Sequence, residues 1–596
     1  MFFTPLKEKI INNDKEIKSA RKELITKKDK GHLSRWQEDK INKKINSLFN
    51  KKYELETKFI NKNIKDGLYL GIGINLETFD KHTIVLPWRD FINHAIVYGT
   101  TRMGKTKLML NIIRQNLLHG DNVIINDPKG GIDQEILNQV VNFLREAGRE
   151  TDLIYINPVF PNATEYFNPI YGLGDDDIAN LVATILYPNT QGDNAFYSGY
   201  TFTILKTILY SLNFLEKAMD PTGEGVAKKE RYEQEKYIKI KHLRGKELLS
   251  FDVENSIANP DVAERFSADM SYVELGKQNM FNRTLVTFKD LLHYCLHENL
   301  SALKGTVEST IAGTPELSLM KTEAMMLLQT VFEIPKEYHS KISVSLVNFL
   351  SDVANGFLGS MFCTVRINPL LSRLANSERG FAILMHPSPL RFKKVADNVN
   401  KIFMKMLESV YATTSVTGRE INKRRLYVHL DEGESSLYQG IEAVLNKMAG
   451  LGMTLFIYTQ SLADLEARLG TTLAKVSQDS LNTYFVFKMN ETDSIRKIHD
   501  MFGETSVTNT NIVHGGGEAR INFSSNTQSI LSSKSISNLR PAEGFLKNLH
   551  RRYQISFAYV PDLDPSEGLI VMDEVDTERM FARLLDLNKK IQVQGF

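Results

Sequence analysis

Gly99-Thr-Thr-Arg-Met-Gly104-Lys105-Thr106 follows a short apolar run, His94-Ala-Ile-Val-Tyr98, and precedes a helix-forming stretch from Lys105 to about Leu118. The octapeptide satisfies G-x-x-x-x-G-K-[ST] at every position. In such a loop the glycines let backbone N–H groups close around phosphate oxygens, and the following helix aims its N-terminus at them. Gly99, Thr100, Thr101, Arg102, Met103, Gly104, Lys105, Thr106 and Lys107 are therefore expected to cradle a nucleotide, here ATP. Lys105 is expected to reach the β- and γ-phosphates, and the Thr106 hydroxyl to meet Mg²⁺.

Outward from this loop the strand pattern repeats. Asn122-Val-Ile-Ile-Asn126 and Leu153-Ile-Tyr-Ile156 are short apolar runs separated by helical stretches. Similar runs return at Gly380–Leu384, Leu426–Leu430, Thr454–Tyr458 and Thr483–Phe487. Strands alternating with helices imply an α/β fold with a parallel sheet covered on both faces. Between the two groups, residues 176–376 have a mostly helical period, with a polar stretch at 221–246. The expected organisation is a helical arm at 1–66, the first part of a nucleotide-binding domain at 67–175, an inserted all-α domain at 176–376, and the second part with the tail at 377–596.

A second acidic element completes the nucleotide chemistry. Leu426-Tyr-Val-His-Leu-Asp431-Glu432 is an apolar strand ending in two acids. Asp431 is assigned to the metal, through water, and Glu432 to general base on the attacking water. A strand ending in two acids also occurs in ordinary surface turns. Gln460, at the end of Leu455-Phe-Ile-Tyr-Thr-Gln460, is a candidate to hold that water or sense the γ-phosphate; the alternative is a strand simply reaching solvent. Asp127-Pro-Lys129-Gly-Gly131 has the composition of a turn, but it ends a parallel strand beside the crevice, where ligands bind.

Composition excludes several classes. An apolar fraction of 42% with 24% charged residues and a net charge of +2 is ordinary for a globular chain of 596 residues. Cys295 and Cys363 are too few for a disulfide framework. The His293-Tyr-Cys-Leu-His297 cluster would not put Cys295 on the face shared by its histidines, so structural residues are expected there. No run approaches the ~20 apolar residues that span a bilayer. A cytoplasmic protein is expected, or one peripheral at the cytoplasmic face of the inner membrane.

Residues 1–66 carry 18 Lys or Arg against 10 Asp or Glu. The spacing of Ile10, Ile17 and Leu24, then Ile41, Ile45 and Leu48, suits two helices turning near Lys30-Gly31. This basic arm reads either as a solvated surface or as a contact for an anionic partner. Lys228 to Arg244 mixes cations and tyrosines that could hold single-stranded DNA, yet its glutamates suit a solvated helix. Glu504 to Arg540, with Gly515-Gly-Gly517 at its centre, reads as a hairpin or as a long loop.

Taken in order, several segments resemble type IV secretion coupling proteins of the TraD/TraG kind, most closely the TraD branch of integrative conjugative elements. They are Gly67–Gly71, Gly99–Thr106, Val123–Gly130, Phe167-Asn-Pro169, Leu430-Asp-Glu432, Tyr458-Thr-Gln-Ser461, Asn482–Asp493 and Phe502-Gly-Glu504, and the resemblance spans roughly 67–560. It implies a RecA-like P-loop domain with an inserted all-α domain, assembling as a homo-hexamer. It further implies an ATPase that binds single-stranded DNA with its relaxase and meets inner-membrane components of a secretion channel. Family arginine fingers act across subunits, which makes Arg391 the first candidate and Arg496 the second. The transmembrane helices usual in the family have no counterpart here. Two other functions remain open from the residues: a DNA translocase for packaging or segregation, and a nucleotide-binding recruitment platform with little turnover.

Overall fold

Alternate residues of the central strands go to two different cores. The computed structural model describes residues 5–29, 34–91, 94–128, 135–149, 152–158, 164–187, 192–242, 285–375, 380–387, 389–417, 424–437, 445, 448–470, 481–515 and 518–562. The first part of the chain forms α1 (Pro5–Asp29), α2 (Arg35–Asn63), β1 (Gly67–Asn75), β2 (Lys81–Pro87), β3 (His94–Tyr98), α3 (Lys105–His119), β4 (Asn122–Asn126), α4 (Glu135–Glu146) and β5 (Leu153–Ile156). A helical block follows, with α5 (Asp175–Leu186), α6 (Asp193–Met219), α7 (Glu224–His242), α8 (Phe288–Tyr294), α9 (His297–Ser309), α10 (Pro315–Phe332), α11 (Lys336–Ala354), α12 (Gly356–Cys363) and α13 (Pro369–Ala375). The sheet resumes with β6 (Ala382–Met385), α14 (Pro389–Thr417), β7 (Leu426–Leu430), α15 (Gly433–Ser436), β8 (Met453–Thr459), α16 (Leu462–Leu469), β9 (Leu481–Val486) and α17 (Thr492–Phe502). Four strands close the described chain: β10 (Glu504–Gly515), β11 (Glu518–Ser529), β12 (Glu543–Asn548) and β13 (Arg551–Phe557).

Among the described residues eleven strands form one sheet in the order β2-β1-β13-β12-β9-β3-β8-β7-β4-β6-β5. From β9 to β5 every pairing is parallel, with Val97 opposite Tyr458 and Ile124 opposite Val428. The loop-bearing strand β3 and the acidic strand β7 are separated by β8, the RecA-like arrangement. β3, β4, β7 and β8 are buried along their whole length, as strands covered on both faces must be. Ala95, Val97, Val123, Ile125 and Phe456 pack with Leu108, Ile112 and Leu137 of α3 and α4. Ile96, Ile124, Val428 and Ile457 pack instead with Ile178, Leu205 and Phe403 of α5, α6 and α14. The inserted helical block thus shares its core with one face of the sheet. Asn168, in Phe-Asn-Pro, seals that junction: its side chain donates to Val286 O (2.8 Å) and Arg366 O (2.9 Å).

β12, β13, β1 and β2 extend the sheet antiparallel from β9. Onto this extension docks the N-terminal arm. Its two helices meet through Ala20, Leu24, Ile41, Ile45 and Leu48, and Ser34 and Gln37 form a reciprocal cap at the start of α2. The turn expected near Lys30-Gly31 lies outside the described residues. At its base the arm is not solvated. Lys52 and Glu56 are buried, Tyr69 Oη donates to Glu56 Oε1 (2.9 Å), and the Tyr559 amide donates to Glu56 Oε2 (2.9 Å). Arg114 of α3 donates to Glu146 (2.6 and 2.7 Å) and to Thr57 Oγ1 of α2 (3.2 Å), tying the arm to the loop-bearing helix.

Among the described residues β10 and β11 pair only with each other, from Glu504 opposite Ser529 to Gly515 opposite Glu518. Residues 516–517 of the glycine run lie outside the described residues. No helix among the described residues is long and apolar enough to cross a membrane.

Candidate nucleotide site

The loop after β3 is held open by its neighbours. The Gly99 amide donates to Thr459 O (3.2 Å), the Thr100 amide to Lys488 O (2.9 Å), and Met103 O accepts from the Ala542 amide (2.9 Å). Arg102 and Gly104 both adopt left-handed backbone, at φ 61° and 109°. Glycine is suited to that conformation, which costs a side-chain-bearing residue about 1–2 kcal/mol. The Met103 side chain is buried in the core beneath α3, so only its backbone is available to a ligand. Lys105 Nζ donates to Gly99 O and, at 3.4 Å, to Thr100 O.

A cleft of about 610 Å³ opens over this loop. Thr100, Thr101, Arg102, Gly104, Lys105, Thr106 and Lys107 form one wall, and Asp431, Glu432, Tyr458, Thr459 and Gln460 form the other. Residues that the sequence separates by more than three hundred positions are therefore brought to one site. Lys107 Nζ is turned to Glu135 (2.9 Å) and Asp562 (2.6 Å), which also line the cleft. The Asp431 amide donates to Asn126 O (2.9 Å), and the residue is only 3% exposed. Glu432 has left-handed backbone at φ 44°, which turns the chain sharply out of the strand.

Behind the acids lies a buried polar pair. Tyr458 Oη is 3.0 Å from His429 Nδ1, and Asn116 Nδ2 lies 3.4 Å from His429 Nε2. Burial depresses the His429 pKa to about 3, so the ring is neutral. Burial, with the nearby Asp431 charge, raises the Tyr458 phenol well above its ordinary value. His94, at the start of β3, is also a neutral core histidine. Its Nε2 donates to Leu445 O (2.6 Å), its Nδ1 accepts from the Leu455 amide (3.0 Å), and burial lowers its pKa to about 4.

Glu434 is a cleft residue that the sequence reading missed. It lies two residues after Glu432, in the first turn of α15, and lines the same cleft. Its seat depends on Gly433, where a Cβ would come within 2.5 Å of Ile457 Cγ2. Burial raises the Glu434 carboxyl above its ordinary value, and its own backbone amide opposes the shift. The pattern Asp-Glu-Gly-Glu is the only sequence signal, since a glycine there permits the tight approach.

Asp127 ends β4 as a buried residue rather than as a plain turn. Its Oδ2 is 3.2 Å from His386 Nε2, whose Nδ1 lies 3.1 Å from Tyr155 Oη. Lys129 to Gly131 lie outside the described residues, as does the Arg391 side chain on α14. Arg496 is exposed on α17 and lines a separate cleft of about 340 Å³ with Glu466, Glu491, Lys497 and Asp500. On α7, Glu230 accepts from Tyr171 Oη (2.9 Å) and Glu233 from the Arg366 amide (2.9 Å), so part of the Lys228–Arg244 segment is anchored to the helical block. Cys295 is buried with its thiol pushed up to about 12. Among the described residues no three His, Cys, Asp or Glu side chains converge as a metal site.

Two family domains match this chain. Residues 80–221 match the type IV secretion-system coupling protein DNA-binding domain, and residues 425–542 match the TraM recognition site of TraD and TraG. The type 4 coupling protein DotL of Legionella pneumophila is 24% identical over 137 residues, 21% of this chain and 17% of that protein's length. Among solved structures, the bacterial conjugative coupling protein TrwBdeltaN70 in unbound form has 16% identity and a TM-score of 0.48, covering 81% of this chain and 89% of that one. TrwB with a non-hydrolysable ATP analogue has 14% identity and a TM-score of 0.49, over 85% and 98%. VirB4 of Thermoanaerobacter pseudethanolicus has 13% identity and a TM-score of 0.43, over 83% and 97%. One matched domain contains the loop Gly99–Thr106 and the other begins at the strand that carries Asp431 and Glu432, and over these two segments the chain is similar to the type IV secretion coupling proteins.

Proposed function

We propose that this chain is a magnesium-dependent ATPase that couples DNA, or a relaxase–DNA complex, to a type IV secretion channel. The observation that carries the reading is the convergence of Lys105, Thr106, Asp431, Glu432 and Gln460 on one cleft. Lys105 would release its carbonyl partners and bind the β- and γ-phosphates. Glu432 would take the proton of the attacking water, and Gln460 would orient that water against the γ-phosphate.

The residues fit magnesium. Thr106 and Asp431 supply a hydroxyl and a single buried carboxylate to the same cleft, as suits an ion that shares its shell with phosphate and water. When bound, the ion would neutralise charge developing on the phosphates. A neighbouring copy would supply the arginine, with Arg391 the first candidate and Arg496 the second, and the working assembly would be a homo-hexamer. DNA, single-stranded and carried with its relaxase, is the proposed substrate, and inner-membrane channel components are the proposed partners.

The test is ATP turnover by the purified chain, titrated with protein concentration, with and without single-stranded DNA at fixed low salt. Turnover rising with both supports sites completed across subunits and a DNA substrate. Turnover indifferent to both would favour a recruitment platform.

A further inference from the structure

The outer end of the N-terminal arm presents a tryptophan to solvent. Ser34 and Gln37 cap α2 reciprocally, and the first turn that they fix leaves Trp36 70% exposed. The ring has an ammonium group for a neighbour, with Lys40 Nζ 5.3 Å from its centroid. At about 3.6 residues per turn, Trp36, Lys40 and Lys43 share one face of α2, on the far side from Ile41 and Ile45, which pack against α1. Ile25, in the last turns of α1, is exposed as well.

The charge around these apolar side chains is positive. Residues 18–29 and 34–44 carry nine Lys or Arg against four Asp or Glu. Two of those acids are already paired, Glu23 with Lys27 (2.6 Å) and Glu38 with Lys28 (2.7 Å). Lys22, Arg35 and Lys43 are exposed and form no ion pair among the described residues. The tip also stands away from the body. Phe49 on α2 still meets the body, its ring centroid 4.8 Å from that of Tyr559, and Trp36 lies about 20 Å further out along the helix axis. An indole beside aliphatic lysine stems suits the boundary between headgroups and acyl chains, where the ring enters and the ammonium groups stay at the phosphates. Single-stranded nucleic acid is held instead by successive aromatic faces, and among the described residues of the arm Trp36 is the only exposed aromatic ring.

We propose that the tip of the arm docks on an anionic phospholipid bilayer, with Trp36 at the headgroup level and Lys40 and Lys43 against lipid phosphates. One ring and a few cations make a peripheral contact that salt weakens. The contact needs no ATP turnover, so its failure and that of the ATPase reading are separate.

The chain has two tryptophans, and Trp88 is buried, donating to Ile64 O (2.6 Å) and stacked on His119. A change of indole emission on vesicles therefore reports Trp36. The full chain is titrated with vesicles of phosphatidylglycerol mixed with phosphatidylcholine, with phosphatidylcholine alone, and with a single-stranded oligonucleotide. The mixed vesicles should shift the emission to the blue, bromine-labelled acyl chains should quench it, and phosphatidylcholine alone should do neither. Trp36→Ala should weaken cosedimentation with mixed vesicles by about tenfold, and Lys40→Gln/Lys43→Gln by at least about tenfold, with thermal midpoints unchanged. No cosedimentation, equal binding to phosphatidylcholine alone, or parent-like binding by either variant would overturn the proposal. An emission shift given by the oligonucleotide but not by vesicles would overturn it in favour of nucleic acid, and one that follows protein concentration alone in favour of a second copy of the chain.

Discussion

Gly99 lies directly beneath Phe487: a Cβ at position 99 would come within 2.6 Å of the Phe487 Cβ. Phe487 cannot retreat, because its amide donates to Tyr98 O (2.8 Å) and its ring packs on Phe557 with centroids 4.7 Å apart. The first glycine of the Gly99–Thr106 loop is thus required by the residue that follows β9. Gly99→Ala should weaken ATP binding by at least about tenfold, measured with a fluorescent analogue, through displacement of the loop. Gly99→Ala with Phe487→Gly, which removes the clashing Cβ, should recover part of the loss, and an unchanged affinity in Gly99→Ala would contradict this packing.

Lys105→Ala should abolish ATP turnover. Its ammonium group is within the loop already, held by two carbonyls that a phosphate can replace. Turnover equal to the parent in a malachite-green assay would remove Lys105 from the site.

Acid should destabilise the fold through its buried neutral histidines. The unfolded His94 side chain binds a proton near pH 6.5, whereas the folded one binds it only near pH 4. Between those values the unfolded state holds more protons, so stability is complete above pH 6.5 and is lost as the pH falls toward 4. For His94 alone the integrated loss is of order 3 kcal/mol. His429, with its pKa near 3, adds to it. Thermal midpoints from pH 7.5 to 4.5 should fall steadily, and His94→Gln should flatten the profile. A flat parent profile would show that neither ring is buried in the neutral form.

The β10–β11 hairpin should be dispensable for folding. The Ile530 amide donates to Gly503 O (3.0 Å), so the chain is already closed at the hairpin's base, and among the described residues its strands belong to no other sheet. Replacing residues 504–529 with two glycines should move the thermal midpoint by no more than about 3 °C. Collapse of the fold would show that the hairpin supports the body.

The seven parallel strands, the phosphate-binding loop and the Asp431-Glu432 strand end were legible because each is a local signal. Every one of those strands is a short apolar run, and the loop is a contiguous motif. The antiparallel extension was not legible. β13 buries only alternate residues, and its partner β1 lies at the other end of the chain, with Gly71 opposite Phe557. The arm's docking was hidden for a related reason: Lys52 and Glu56 look like surface residues until Tyr69 and Tyr559 are brought against them. Glu434 was missed because its place depends on the close approach of Gly433 to the Ile457 side chain, which no spacing along the chain reveals.

The central claim is that one cleft both binds and hydrolyses ATP, with Glu432 as the base. Its most direct test is to mix Glu432→Gln and the parent with magnesium and radiolabelled ATP, and to analyse the bound nucleotide over time. The account predicts that the parent converts bound ATP to ADP while Glu432→Gln retains ATP unhydrolysed at similar affinity. Equal conversion by both, or loss of ATP binding in Glu432→Gln, would contradict it.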